Sequence, residues 1–153
     1  MAGPVERLRE LGLTLPAVAA PAGVYVPARR AGSLVFTAGQ LPLVDGALPA
    51  TGKVGAEVGP EEARDLAGLC ALNALAAIED LVGLEAVSAV VKVVGFVASA
   101  PGFTGQPGVL NGASELLGSV FDDAGRHARS AVGVAELPLG SPVEVELVVE
   151  LRG

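Results

Sequence analysis

Arg129 opens a run of small and β-branched residues, Ala128-Arg129-Ser130-Ala131-Val132-Gly133-Val134, and Glu144 and Glu146 stand in the next such run, Val143 to Leu151. An arginine grips a carboxylate through two parallel N–H bonds, and a carboxylate can orient water or take its proton. A period of two puts Arg129, Ala131 and Gly133 on one face of a strand and Ser130, Val132 and Val134 on the other. The second run sets Val143, Val145, Leu147, Val149 and Leu151 on one face, with Glu144, Glu146 and Glu150 opposite. Leu137 to Pro142 lies between them with the Pro and Gly punctuation of a loop, so the sequence predicts strand, tight turn, strand. From spacing alone, Arg129 reads as a solvated edge arginine and Glu144 as a solvated glutamate on a polar strand face.

Other residues have two readings each. Tyr25 is the single tyrosine, placed in an extended arm broken by Pro16, Pro21 and Pro27; its neighbours Val24 and Val26 suggest a short strand, and packing is its plainer role. Gly39 is either a turn or bulge glycine or a place where a side chain would obstruct a ligand or a close-approaching backbone. Asn111 is either a hydrogen bonder at a helix start or a side chain turned toward a site, the first being favoured by sequence alone. His127, the single histidine, reads as a polar surface or interface residue. Cys70 falls in a helical apolar stripe and reads as an inert core residue. No phosphate-cradling glycine loop, metal-ligand spacing or Ser-His-Asp arrangement is present, so neither metal nor cofactor is expected.

The elements that must position these residues follow from periodicity. Pro4 to Leu11 predicts a short helix stopped by Gly12, with Val5, Leu8 and Leu11 on one face. Ser33 to Thr37 predicts a buried strand, and Leu43 to Gly59 a hairpin and loop. A long helix is predicted from Pro60 to Val82, closed by Gly83, with Ala63, Leu66, Ala67, Cys70, Ala74, Ala77, Ile78 and Leu81 as its sheet-facing stripe. Ala89 to Ala98 is a nearly all-apolar strand, as expected where helices cover one face and a subunit partner the other. Phe103 to Gly108 reads as loop and Val109 to Ala124 as a second helix. The expected class is α+β, a mixed sheet with two main helices on one face. The arm, residues 1–22, precedes one domain, residues 23–153.

Composition narrows the function. The 153 residues are 51% hydrophobic but only 3% aromatic, so the core must be built from Ala, Val and Leu, and uncovered apolar surface mildly favours an oligomer. A net charge of −7, a pI near 4.6 and one adjacent basic pair, Arg29-Arg30, disfavour a nucleic-acid partner. One cysteine excludes an internal disulfide. Neither a signal peptide nor a membrane span is read from the sequence, so a soluble cytoplasmic protein is expected.

Four stretches resemble the YjgF family, also called the RidA or reactive-intermediate deaminase family. They are Ala128-Arg129-Ser130-Ala131-Val132-x-Val134-Ala135-x-Leu137-Pro138 with Val143-Glu144-Val145-Glu146; Tyr25 ahead of Phe36-Thr37-Ala38-Gly39-Gln40-Leu41-Pro42; Lys92 to Val97; and Val109-Leu110-Asn111. The resemblance runs from about Gly23 to the C-terminus. It implies a chorismate-mutase-like fold, a homotrimer with intersubunit sites, and hydrolysis of reactive enamines and imines such as 2-aminoacrylate to 2-keto acids and ammonia. Under it, Arg129 would hold the substrate carboxylate and Glu144 would orient or activate water. Tyr25, Gly39, Asn111 and the backbone of Ala131 would shape and bind. Ala131 stands where the best-known members have cysteine, and Gly133 where they often have glutamate; with the longer N-terminal arm, these mark a divergent branch. A non-catalytic trimer binding a small carboxylate or a partner protein is the alternative, and ribonuclease activity ranks last.

Overall fold

A computed structural model describes residues 2–153. Its frame is one five-stranded mixed sheet with helices on one face. The strands are β1 (Ala28–Ala31), β2 (Leu34–Thr37), β3 (Val87–Ala98), β4 (Ala128–Val134) and β5 (Val143–Leu151), in the order β1-β2-β5-β3-β4. Only β3 and β4 run parallel; β1–β2, β2–β5 and β3–β5 are antiparallel.

This order overturns the expected hairpin between Ala128 and Leu151. β4 and β5 do not touch as strands, because β3 lies between them and pairs with both. Parallel partners cannot be joined by a tight turn and require a crossover, here the helix that leads from β3 to β4. The Pro138–Gly140 segment is a single 3₁₀ turn that carries the chain across β3 rather than back along β4.

Helix α1 (Pro4–Glu10) forms as expected, with Pro4 in its first turn, but only Pro4 and Leu8 are buried; Val5 and Leu11 face solvent. Leu8 joins the core, and Arg7 pairs with Asp122, which fastens α1 to the end of the third helix. The chain from Leu11 to Pro27 has no regular structure, so the strand suggested around Tyr25 is absent. β1, which the sequence did not announce, occupies that sheet edge instead, turned onto β2 through Gly32 at φ 61°.

Helix α2 (Pro60–Leu81) has the predicted extent, and Gly83, at φ 82°, follows its end. Every residue of the expected stripe is buried except Leu81 at the helix end. Each fully buried Leu or Ile here contributes about 1.5–3 kcal/mol of transfer free energy. Helix α3 (Gln106–Phe121) starts three residues earlier than the periodicity suggested. Pro107 sits in its first turn, where the missing N–H costs no hydrogen bond. A 3₁₀ turn, Asp122–Gly125, ends it.

Small residues bring α3 close to both neighbours. A Cβ on Gly112 would collide with the backbone carbonyl of Arg64 on α2, and one on Gly95 in β3 would collide with Leu110. Gly95 pairs with Ala131, so the β3–β4 surface beneath α3 is low and flat. Close approach of α3 is what places its side chains within reach of β4. The opposite face of the sheet has no helix: Phe36 (44% exposed) and Val132 (44%) face outward there, with Val94 and Phe96 half-buried. Among the described residues no helix is long and apolar enough to cross a membrane.

Candidate functional site

Arg129 points to the helix-covered side. Its Cα partner is Val93, which also pairs with Leu147, and both are buried under the helices. The guanidinium reaches α3: Nη1 donates to Asn111 Oδ1 at 2.9 Å and to Ser114 Oγ at 3.1 Å, and Nη2 donates to the Pro107 carbonyl at 3.2 Å. These bonds consume three of five N–H protons. Among the described residues the Nε proton and one Nη2 proton have no acceptor, and Nε and Nη2 share one edge of the fork. Among the described residues no carboxylate pairs with Arg129, which lines an open depression of about 440 Å³ with Asn111, Ser114, His127 and Arg126. The geometry is that of an arginine pinned on one edge and available on the other.

Asn111 is therefore not the helix-start hydrogen bonder that the sequence favoured. Because α3 begins at Gln106, Asn111 stands in the second turn, past the cap position, and its side chain serves the arginine. Ala131 follows Arg129 on the same face, half-buried and packed against the core. Gly133 is the last of this row: a Cβ there would press on Gln106 Nε2 and Ser99 Oγ, which hydrogen-bond to each other in that space.

Glu144 lies on the other face. It pairs with Phe96, three residues along β3 from Val93, so the two candidate residues project from opposite sides of the sheet. Its carboxyl is held above the ordinary carboxylate range, first by burial and then by the repulsion of Glu146. The carboxylate rests over Gly39, where any Cβ would collide with it. What the missing side chain makes room for is thus neither a ligand nor a backbone but the Glu144 side chain. Gly39 also borders a cavity of about 120 Å³ with Tyr25, Gln40, Pro21 and Leu139. Tyr25 is 51% exposed, and its hydroxyl accepts a bond from the Ala22 N–H at 3.2 Å. Gln40 continues the β-bridge beyond Gly39, its backbone exchanging both bonds with Val145.

One chain thus holds two separate groups, Arg129 with Asn111 and Ala131 on the helix side, and Glu144 with Gly39 and Tyr25 on the open side. A family profile described as "YjgF/chorismate mutase-like, putative endoribonuclease" matches residues 5–151. The chain belongs to the YjgF family. It is 47% identical over 147 residues to Protein TCP17 of Trypanosoma cruzi, covering 95% of this chain and 92% of that one. It superposes on a crystal structure described as a "putative endoribonuclease" from Shewanella oneidensis with TM-score 0.95 and 35% identity, over 98% of this chain and 100% of the other. It superposes on Escherichia coli TdcF with bound serine with TM-score 0.61 and 28% identity, over 92% and 96% of the two chains.

Of two further polar residues beside Arg129, Ser114 escaped the sequence reading and His127 was read there only as a polar surface or interface residue. Ser114 is one of two serines in α3, the other being Ser119, and His127 falls just outside the stretch from Ala128 that carries the family resemblance. The readable signal was spacing: Ser114 follows Asn111 by three residues, hence on the same face of α3, and His127 precedes Arg129 by two. Cys70 is buried as expected, and burial pushes its thiol well up, followed by the negative charge of Glu144.

Proposed function

We propose that this chain hydrolyses reactive enamines and imines bearing an α-carboxylate, of the 2-aminoacrylate type, to 2-keto acids and ammonia. The observation that carries this reading is the Nε–Nη2 side of Arg129, held in place by α3 and keeping one proton on each nitrogen without an acceptor among the described residues. A carboxylate matches that edge with two parallel charge-assisted bonds. Serine, the molecule bound to TdcF, has such an α-carboxylate.

Glu144 supplies the acid/base group. A carboxyl displaced upward by burial sits nearer neutral pH and can exchange a proton with the water that attacks the imine carbon. Because the imine is already electrophilic, orientation and one such group suffice. Arg129 and Glu144 project from opposite faces, so the reading requires that the Arg129 side of one chain meet the Glu144 side of another. The uncovered apolar face carrying Phe36, Phe96 and Val132 is the surface we assign to that association, in a homotrimer.

The test is keto-acid release from 2-aminoacrylate generated in situ by a pyridoxal-phosphate lyase, comparing the wild type with Arg129→Ala. Acceleration over the spontaneous rate that falls at least about 100-fold in the variant is expected. Absence of acceleration at micromolar protein retires this substrate class. Pyruvate binding that depends on Arg129 without turnover would then identify a carboxylate-binding oligomer.

A further inference from the structure

The hydrogen bonds behind Arg129 form one continuous chain with a fixed direction. His127 Nδ1 lies 2.6 Å from the Gly125 carbonyl, and its Nε2 lies 2.9 Å from Ser114 Oγ. A carbonyl oxygen only accepts, so Nδ1 must carry the proton. In the neutral ring Nε2 then offers a lone pair, and the single proton of the Ser114 hydroxyl goes to it. Ser114 Oγ is left as a pure acceptor on its other side, where Arg129 Nη1 donates at 3.1 Å. The order is therefore Arg129 to Ser114 to His127 to the Gly125 carbonyl.

We propose that Ser114 and His127 are positioning residues for the carboxylate anchor: His127 orients the Ser114 hydroxyl so that its oxygen faces Arg129, which turns the Nε–Nη2 edge toward the ligand. This rests on the reading of Arg129 as the carboxylate anchor. The bonds to Asn111 and Pro107 fix two of the guanidinium protons. The bond to Ser114 occupies the second Nη1 proton, so no proton on that edge is left to draw the group round. His127 in turn is held at a set angle because Gly125 is buried at the end of the 3₁₀ turn that follows α3. An alanine at 114 would leave Nη1 one acceptor short, and an apolar ring at 127 would free the hydroxyl to rotate. Either change loosens the anchor without touching Glu144. The effect belongs in ligand affinity, not in the chemical step.

The experiment compares wild type with Ser114→Ala, Ser114→Thr, His127→Phe, His127→Gln and Arg129→Ala. It uses KM and kcat for 2-aminoacrylate hydrolysis, pyruvate affinity by titration, and the ¹⁵N resonances of the imidazole. Ser114→Ala and His127→Phe should raise KM and the pyruvate Kd by about 5- to 20-fold with kcat within about twofold, as for a loosened binding contact. Ser114→Thr keeps the hydroxyl and should return both constants to within about twofold of wild type. His127→Gln presents an amide oxygen near the place of Nε2 and should lose less than His127→Phe. The ¹⁵N spectrum should show a protonated Nδ1 and an unprotonated Nε2, with Nε2 moving on pyruvate addition in the wild type and not in Ser114→Ala. Unchanged KM and Kd in Ser114→Ala and His127→Phe, or a protonated Nε2 with a bare Nδ1, would overturn the proposal while Arg129-dependent binding still stood. Pyruvate affinity indifferent to Arg129→Ala would overturn the anchor reading, and the positioning role with it.

Discussion

The two faces of the sheet are built to different standards of rigidity. On the helix side, Arg129 is tied by three hydrogen bonds to α3, and α3 is wedged against α2 and β3 by Gly112 and Gly95. On the open side, Glu144 has Gly39 beneath it and Glu146 nearby, and among the described residues no side-chain hydrogen bond or ion pair fixes its carboxyl. Binding a carboxylate rewards a fixed fork, because two bonds must form in one geometry. A group that exchanges protons with water needs a shifted proton affinity more than a fixed pose. Under the proposed function this is a division of labour, anchoring on one face and proton exchange on the other.

That division can be broken selectively. Glu144→Gln should reduce enamine hydrolysis by about 10²- to 10⁴-fold, the usual worth of a general acid/base group, while pyruvate titration finds near-normal affinity. Equal losses in both would erase the distinction between the faces. Gly112→Ala strikes the rigid side: its Cβ would meet backbone on α2, and urea unfolding should show about 1–3 kcal/mol lost, the cost of overpacking.

A pH series sharpens the contrast on the open side. The folded Glu144 carboxyl holds its proton more tightly than an unfolded one, because burial and then Glu146 raise its pKa. Its stabilising contribution is complete below the unfolded carboxylate pKa and is lost as pH rises through the folded value. Urea midpoints measured from about pH 4 to about pH 7 should therefore drop more in the wild type than in Glu144→Gln. Parallel curves would refute a raised carboxyl. Tyr25→Phe removes one exposed bond to the Ala22 N–H, so thermal melts should move by less than about 1 kcal/mol.

Local order was legible in the sequence and lateral order was not. The alternation in β4 and β5, the long helix from Pro60 and the glycine that follows it are each set by residues a few positions apart, and the structure has them as read. The supposed hairpin failed because a Pro-Gly-rich connection looks the same whether the chain turns back or passes over an intervening strand. Faces were assigned correctly, yet pairing of Val93 with both Arg129 and Leu147 involves three strands far apart in sequence. Asn111 was drawn toward a capping role because the helix start at Gln106-Pro107 was taken for loop. The spacing of Ser114 from Asn111 puts both on one face of α3, but that face gains meaning only once β4 is known to lie beside it.

The placement of β5 also bears on how the molecule is made. β5 comes after every other strand in the chain, yet it sits in the middle of the sheet, joining β1–β2 to β3–β4. Until Val143 to Leu151 have been synthesised, the nascent protein has two disconnected strand pairs whose inner edges are unpaired. The last central strand must then enter between them by long-range pairing, the slow kind. Ribosome-bound chains truncated before Val143 should consequently remain protease-sensitive and dependent on chaperones, and extension past Leu151 should confer resistance in a single step.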